Sequence, residues 1–343
     1  MRLRRHLGWI LPLVGLVVVG RYVHALGLDR LALAFRTMGG GLIILLALPL
    51  FLYVVHAIGW SYTLSRENRA RIGLLRLSIL QTFSYGISGM LPMQIFVAEP
   101  LKMALLKDVD YDREDFAASL MVDNTINGFA ILAFTAGGLA YLALLIPTSA
   151  WVKLAALAIV ALMVAASLAL ITVQKRGLFT GVLDLLSRLR PLRAFCTSHR
   201  PQAERVDDSV RNFYEHNRRG FYLAFLFHLL EKAHGVAEFW LIFKLMGASV
   251  SWGACFFIAS LVSGLDNLLF FAQVGGMETW VSGLLSWMDL TRDSISITTA
   301  LFRRVRFIFW ALMALLLVPA TRRLFAAPRG AKPAEIPAPA RLL

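Results

Sequence analysis

The chain has 343 residues, of which 58% are hydrophobic and 16% are charged, and its mean hydropathy is +0.67. A soluble domain is roughly 45–50% apolar and about 25% charged, so this composition excludes a disordered chain, a collagen and a coiled coil, and it favours a membrane protein. Two cysteines are too few for a disulfide framework or a cysteine-rich metal site, and the net charge of +14 has to be located along the chain before it is interpreted.

Six apolar segments are long enough to cross a bilayer, which takes about 20 predominantly apolar residues. We interpret the first as an uncleaved helix rather than a signal peptide, because it carries Arg21 and lacks a clean cleavage site. In chain order these predicted spans are 8–26, 41–64, 116–146, 151–174, 221–246 and 294–318.

Two further apolar segments, 74–106 and 251–290, have a different pattern. Each is too short for two crossings of about 20 residues and a turn. Each also contains residues that interrupt helices, namely Gly86, Gly89, Pro92 and Pro100 in the first, and Gly264, Gly275, Gly276 and Gly283 in the second. Irregular backbone at membrane depth occurs where protein or a water-filled cavity covers it. The sequence therefore predicts an all-α polytopic membrane protein with about six full spans and two re-entrant helical hairpins.

The basic residues set the predicted orientation. They concentrate at the start of the chain, at 66–76, at 175–219 and at 322–341, whereas the opposite side carries Arg30, Arg36, Lys153, Lys244 and Arg292. By the positive-inside rule, both termini and the linker 176–219 are cytoplasmic. The charge is therefore a topology signal, and we expect no nucleic-acid partner. Apolar residues alternate with arginines at helical spacing over 179–190, which predicts contact with anionic lipid at the cytoplasmic face.

The two hairpins align with each other without gaps at one constant spacing, which indicates an internal repeat. Ser84, Gln94 and Glu99 meet Ser263, Gln273 and Glu278. The two copies run in opposite directions through the membrane, and broken helices in inverted repeats are typical of secondary transporters, which bind their substrate between the repeats. The predicted organisation is one membrane domain over 1–320, with repeat one at about 41–146, repeat two at about 220–320, the amphipathic linker 176–219, and a disordered tail at 326–343.

Ionisable residues at membrane depth cost about 2.5–3.5 kcal/mol each on insertion scales, so they usually face a cavity or a partner. The predicted substrate site combines acidic residues beside the helix breaks, a polar face on span 116–146, and charged residues on the later spans. Its members are Glu99, Lys102, Asp123, Asn127, Glu238, Glu278, Arg304 and Arg306. The alternatives are an internal ion pair between Glu99 and Lys102, and arginines that reach an interface.

A metal site and an enzymatic site were both weighed. His228, Glu231, His234 and Glu238 form one stripe of span 221–246. We predict no metal there, because His228 and His234 are about 9 Å apart along the helix axis and zinc ligands converge more tightly. His56 is interpreted as a satisfied core histidine. No P-loop, HExxH or GxSxG motif occurs, so we expect no cofactor and no enzymatic activity.

Short motifs follow one another along residues 8–320. They are Leu91-Pro92 with Glu99 and Lys102, the segment 118–123, His228-Leu229-Leu230 with Gly235, Glu238 and Trp240, Phe270-Phe271 through Gly275 to Glu278, and Phe302-Arg303-Arg304-Val305-Arg306. In this order the chain resembles the flippase-like family typified by the transmembrane part of lysylphosphatidylglycerol synthases. Within it, the chain is most similar to the membrane proteins associated with hopanoid biosynthesis.

The resemblance implies movement of a lipid, such as a hopanoid or a modified phospholipid, across or out of the bacterial inner membrane. We hypothesise a lipid translocase whose polar cavity lies between the two hairpins. Lys102, Arg304 and Arg306 would attract phosphate or hydroxyl oxygens, while Glu99 and Glu278 would balance that charge, bind an amine or carry a coupling proton. The alternatives are a non-transporting scaffold for lipid-synthesis enzymes and a membrane-embedded lipid-modifying enzyme.

Overall fold

The computed structural model describes residues 38–88, 94–145, 149–268 and 305–314, together with single positions outside these ranges. This part of the chain is helical and contains no strand. In chain order its helices are α1 (Gly41–Ser61), α2 (Arg66–Ile72), α3 (Leu74–Ser88), α4 (Gln94–Leu105), α5 (Arg113–Leu145), α6 (Ala150–Lys175), α7 (Leu178–Ser187), α8 (Arg193–His216), α9 (Arg218–Leu245), α10 (Trp252–Leu268) and α11 (Val305–Ala314), with a 3₁₀ turn at Arg190–Leu192.

Three of these helices, α1, α5 and α6, are long and apolar enough to cross a membrane. A fourth, α9, has 28 residues, which is about 42 Å of helix, and it carries ionisable residues in its interior. The four helices coincide with the predicted spans 41–64, 116–146, 151–174 and 221–246. The prediction of a multi-pass α-helical membrane protein is confirmed, although span 8–26 lies outside the described residues and span 294–318 is described mainly at α11.

The outer helix α6 shows the character expected of a lipid-facing surface. Leu154, Leu157 and Leu162 are 57%, 64% and 70% exposed. Soluble proteins rarely leave so large a contiguous apolar surface in water, because each exposed side chain gives up its hydrophobic stabilisation. This face of the protein therefore contacts the hydrocarbon of the bilayer.

The inner helices have a definite relative direction. Gly41 at the start of α1 lies against Leu245 at the end of α9, and Gly59 near the end of α1 lies against Phe227 and the carbonyl of Ala224. The two helices are therefore antiparallel. Asp123 and Asn127 of α5 meet His228 and Lys232 of α9 in the same order. Because α5 runs parallel to α9, the end of α1 and the start of α5 lie at the same face of the bundle.

The first hairpin, α3 and α4, leaves and returns at that same face. The buried side chain of Asn68 donates to the Asp112 carbonyl at 2.8 Å and accepts from the Asp112 amide at 2.9 Å, which ties α2 to the start of α5. The linker reaches the same face, since Asn217 Nδ2 donates to the Tyr62 carbonyl and Arg205 pairs with Glu114. The basic segments 66–76 and 175–219, which the sequence analysis assigned to one side, therefore lie together.

The two helices of this hairpin are short. With 15 and 12 residues, α3 and α4 are about 22 and 18 Å long, compared with about 30 Å for the hydrocarbon core. The prediction that Gly86 and Pro100 interrupt the helices is wrong, because both lie inside regular helix. At Gly86, an added Cβ would lie 2.6 Å from the Trp310 carbonyl oxygen of α11, so this glycine permits close packing rather than a break. The other two predicted interruptions, Gly89 and Pro92, lie outside the described residues.

The second hairpin is described in its first arm, α10. Gly264 lies inside this helix rather than breaking it, so that predicted interruption is also wrong, and an added Cβ there would lie 2.8 Å from Thr135 Oγ1 of α5. The contact between α5 and α10 is closest at Gly138, where an added Cβ would lie 1.6 Å from Ser260 Oγ. The other arm lies outside the described residues, so the re-entrant geometry and the inverted repeat stay predictions.

The linker 176–219 folds into two packed helices. The helix predicted near 179–189 forms as α7. In the first turn of α7, the amides of Phe179 and Thr180 donate hydrogen bonds to Asp207 of α8. Val206, Val210 and Phe213 of α8 pack in turn against Ala118, Val122 and Ile126 of α5. Burial raises the pKa of the Tyr214 phenol to about 12, and its protonated hydroxyl donates to Gln174 Oε1. The tail 326–343 lies outside the described residues.

Candidate functional site

The four most buried acidic and basic residues of the described helices meet where α1, α5 and α9 pack together. His56 Nε2 lies 3.0 Å from Asp123 Oδ2, and His228 Nε2 lies 2.8 Å from Asp123 Oδ1. Glu231 Oε2 lies 2.8 Å from His56 Nδ1 and 3.5 Å from His228 Nδ1. None of these four residues is more than 2% exposed. We call His56, Asp123, His228 and Glu231 the histidine cluster.

Helical spacing places a second row of polar groups beside this cluster. Residues four apart on a helix share one face, so Asn127 follows Asp123 on α5 and Lys232 follows His228 on α9. Lys232 Nζ donates to Asn127 Oδ1 at 2.8 Å and to Glu231 Oε1. The ammonium group thus occupies one oxygen of Glu231 and leaves the other oxygen to the two histidines.

A second group joins the first hairpin to α5, and we call it the Glu99 group. Lys102 Nζ lies 3.2 Å from Glu99 Oε1, and Asn124 Nδ2 donates to the same oxygen at 3.1 Å. Lys102 is 3% exposed, and its ammonium also lies 4.8 Å from the ring centroid of Trp60, a cation–π contact. The other oxygen of Glu99, Oε2, is buried and has no hydrogen-bond partner among the described residues.

A third group links α9 to α11, and we call it the Arg306 pair. Arg306 Nη1 donates to Glu238 Oε1, and the two residues are 8% and 3% exposed. A charged pair withdrawn from water in this way depends on its partners for most of its electrostatic stabilisation. One turn further along α11, the Trp310 ring packs edge-on against Tyr53 of α1, with ring centroids 5.1 Å apart.

Aromatic residues connect the three groups. The Tyr85 ring of α3 lies 5.8 Å from the His56 ring and 5.5 Å from the Tyr53 ring. Tyr85 is also within electrostatic range of the carboxylates of Glu99, Asp123 and Glu231. The bundle interior therefore contains buried carboxylates, ammonium groups, imidazoles and a guanidinium, with Tyr85 beside the histidine cluster and Tyr53.

The structure places the predicted site residues in pairs. Asp123 and Asn127 face α9, Glu99 binds Lys102, and Glu238 binds Arg306. The alternative interpretation of Glu99 and Lys102 as an internal ion pair is therefore confirmed as a contact. Arg306 lies inside the bundle and not at an interface. Glu278 and Arg304 lie outside the described residues, and the structure makes no statement about their positions.

Four residues of this region are not among the predicted substrate-site residues, namely His56, His228, Glu231 and Lys232. His228 and Glu231 belong to the stripe on α9 for which no metal is predicted. His56, interpreted as a core histidine, is buried and has two carboxylate partners. Lys232 was passed over, although it follows Glu231 on a predicted span. An ionisable residue within a span was the available signal in both cases. The sequence pattern does not show which side chains contact each other, because His56 contacts residues of α5 and α9 that are distant in sequence.

The histidine cluster also contains the one group of described residues with the geometry of a metal site. One ligand atom each from His56, His228 and Glu231 lies within 4.8 Å of the others, and all three residues are buried. These ligands come from two helices, α1 and α9. The prediction of no metal rested on the distance between His228 and His234 along α9, and His234 does not belong to this group.

Comparison with known proteins identifies the family. The model of the family described as the lysylphosphatidylglycerol synthase TM region matches residues 8–314, which is most of the chain. Neither the curated proteins nor the solved structures give a significant match. The matched range includes the histidine cluster, the Glu99 group and the Arg306 pair. The chain therefore belongs to the family of the lysylphosphatidylglycerol synthase transmembrane region.

Proposed function

We propose that the protein is a lipid translocase of the bacterial inner membrane, with both termini in the cytoplasm. A lipid head group would pass through the polar interior of the bundle while the apolar tail stays in the bilayer. The family indicates a membrane protein involved in lipid handling. The specific activity, the lipid class and the orientation are parts of this proposal.

The observation that carries the proposal is the Glu99 group. Charged residues inside a membrane protein are costly and usually serve a pathway or a partner. Here Glu99 Oε1 is held by Lys102 and Asn124, whereas the buried Oε2 has no partner within the described part of the chain. An unsatisfied buried oxygen of a charged group costs about 1–3 kcal/mol or more. A hydroxyl or amine of a head group would satisfy it.

Acidic and basic side chains lie next to each other in these groups, which suits a lipid head group that carries both a negative and a positive or hydroxyl group. Lys102 and Arg306 can attract phosphate oxygens, since charge-assisted hydrogen bonds are roughly twice as strong as neutral ones. Glu99 can bind an amine or a hydroxyl. We infer that a lipid phosphate displaces the internal carboxylate, so that each basic residue exchanges one oxygen ligand for another, while an amine or hydroxyl of the same head group binds the carboxylate that is released. Sequence alone adds Glu278 and Arg304 to this set.

The short helices α3 and α4 support a pathway at this point. Because the hairpin begins and ends at one face of the bundle, its tip would lie at membrane depth rather than at the far surface. Glu99 and Lys102 lie on α4, the arm that returns from the tip. In an inverted repeat, the equivalent arm of the second hairpin would carry Glu278, and the substrate would lie between the two arms.

The test is a flipping assay with a panel of head groups. Purified protein is reconstituted into liposomes that contain trace fluorescent lipids, and the fraction that dithionite bleaches is followed over time. We expect protein-dependent exposure of the inner-leaflet label for at least one phosphate-bearing lipid. Lys102→Gln should slow it by about 10- to 100-fold, which corresponds to the roughly 1.5–3 kcal/mol of a hydrogen bond to a charged group. Lys107→Gln, at an exposed lysine just beyond the same helix, is the matched control.

Two results would contradict parts of this proposal. One is a bleaching time course equal to that of protein-free liposomes for every head group, which would favour the scaffold. The other is equal rates for Lys102→Gln and Lys107→Gln, which would leave the Glu99 group a structural ion pair. Size-exclusion profiles of the variants show whether a lower rate reflects misfolding.

A further inference from the structure

The hydrogen-bond pattern of the histidine cluster fixes the chemical roles of its four side chains. A carboxylate accepts hydrogen bonds and donates none. Asp123 contacts the Nε2 atoms of both histidines, with Oδ2 at 3.0 Å from His56 and Oδ1 at 2.8 Å from His228. Both Nε2 atoms therefore carry the proton. In neutral imidazoles, both Nδ1 atoms are then lone-pair acceptors.

These two acceptors face a third. Glu231 Oε2 lies 2.8 Å from His56 Nδ1 and 3.5 Å from His228 Nδ1. Three lone pairs that converge in a buried site repel one another unless a cation lies among them. One added proton would satisfy one imidazole and leave the other Nδ1 against a carboxylate oxygen. Two added protons would create two imidazolium rings whose centroids are 4.5 Å apart, with like charges in an apolar interior.

A single metal ion satisfies all three acceptors at once. Two histidine nitrogens and one carboxylate oxygen are a common ligand set for zinc, which binds nitrogen at about 2.0–2.1 Å. Asp123 would complete the arrangement from behind, because histidine ligands usually donate their second N–H to a carboxylate that holds the ring in place. Lys232 occupies Glu231 Oε1, which leaves Oε2 as a single ligand atom.

The charges of the surrounding residues agree with a bound cation. With neutral imidazoles, Asp123 and Glu231 contribute two negative charges, and Lys232 contributes one positive charge. Within the described part of the chain, Asn127 and Tyr85, which also lie against these residues, are neutral. These charges sum to −1. A divalent ion that carries a hydroxide at its open fourth position adds one net positive charge, so the sum becomes zero and the cost of holding charge away from water falls.

We propose that His56, His228 and Glu231 bind one divalent transition-metal ion of the Zn²⁺ class, with Asp123 as the residue that positions both imidazoles. The ion would connect α1 to α9, and through Asp123 it would also fix α5. With three protein ligands, a tetrahedral ion has a further position for an oxygen ligand. This site does not depend on the proposed lipid transport, and binding can be measured without it.

The first experiment measures metal binding to the intact protein. The chain is purified in detergent with a tag that contains no histidine, stripped with a chelator, and titrated with Zn²⁺ and, separately, with Co²⁺. We expect close to one tightly bound ion per chain, visible-range absorption typical of Co²⁺ with few nitrogen and oxygen ligands, and a higher unfolding temperature after loading, because a ligand that binds the folded state stabilises it.

Variants locate the site. His56→Gln and His228→Gln should each abolish stoichiometric binding, and Asp123→Asn should weaken it by about 10- to 100-fold, as is usual for residues that orient a metal ligand. His234→Gln, at a buried histidine of the same helix α9, is the matched control and should bind the ion as the wild type does. Exposed His199, changed to Gln, controls for surface binding.

The proposal fails if the wild-type protein takes up no Co²⁺, or if His56→Gln and His228→Gln together leave binding unchanged. Should these variants fold poorly, ¹⁵N NMR of the wild-type histidines decides the question. Resonances of protonated imidazolium that do not change when Zn²⁺ is added would mean that protons hold the cluster together and would overturn the metal site. Two neutral rings whose Nδ1 signals shift on addition of Zn²⁺ would support it.

Discussion

The Arg306 pair allows a quantitative test of the buried charges. Arg306→Gln removes the guanidinium that contacts Glu238, and the two side chains are 10% and 4% exposed. Because water screens such a pair very little, the cost for breaking a buried pair applies, which is about 3–5 kcal/mol. We expect Arg306→Gln and Glu238→Gln each to lower the free energy of unfolding by about 3 kcal/mol.

The double variant makes this prediction specific. With Glu238→Gln and Arg306→Gln combined, both charges of this pair are removed together, and two amides can hydrogen-bond to each other. The loss should then be about 1–2 kcal/mol, the difference between a charged and a neutral hydrogen bond. The three proteins and the wild type form a double-mutant cycle, measured by unfolding in mixed micelles at increasing SDS fraction.

One outcome of the double-mutant cycle would contradict the predicted coupling. If the double variant loses as much stability as the two single variants together, the residues are not coupled, and the pair contributes nothing as a pair. Transport by the double variant adds a separate readout. If Arg306 also binds the head group, the double variant should transport lipid slowly although it is nearly as stable as the wild type.

Three further predictions follow from the fold and the sequence. In a cysteine-free background, a cysteine at Asp110, which is exposed beside α2, should react only with reagent supplied from the cytoplasm; labelling from the periplasm would refute the orientation. Gly138→Ala should destabilise by about 1–3 kcal/mol because the methyl would overlap Ser260, whereas Gly128→Ala, with no atom within 4 Å of its Cβ, should not; equal unfolding midpoints would contradict the packing. Arg304→Gln should slow lipid flipping more than Arg322→Gln, which lies just beyond the last predicted span. Equal small effects would make Arg304 an interfacial anchor.

Much of the fold could be predicted from the sequence, because apolar length reports directly on spans. The bounds of α5, α6 and α9 agree with the predicted spans to within a few residues. The grouping of 66–76 with 175–219 at one face followed from the basic residues. Glycine and proline were less informative, because Gly86 and Gly264 serve helix packing, and Pro100 is accommodated within α4.

The site was predictable in composition but not in pairing. Charge within a span marked Glu99, Lys102, Glu238 and Arg306. Which acid meets which base depends on the rotation and register of helices that are distant in sequence, and no periodic pattern encodes this. His56 is the clearest case, because its partners Asp123 and Glu231 lie on two other helices. The sequence offered one stripe of histidines on α9, whereas the structure pairs one histidine from each of two helices.

The central claim is that the polar interior moves a lipid head group, and the flipping rate of Glu99→Gln tests it most directly. Wild type, Glu99→Gln and the exposed control Glu67→Gln are reconstituted at equal density, and dithionite bleaching of labelled phospholipid is recorded. We predict fast bleaching for wild type and Glu67→Gln, and a rate about 10- to 100-fold lower for Glu99→Gln, in line with one lost hydrogen bond to a charged group. A folded Glu99→Gln protein that flips lipid at the wild-type rate, or a wild-type protein no faster than empty liposomes, would contradict the account.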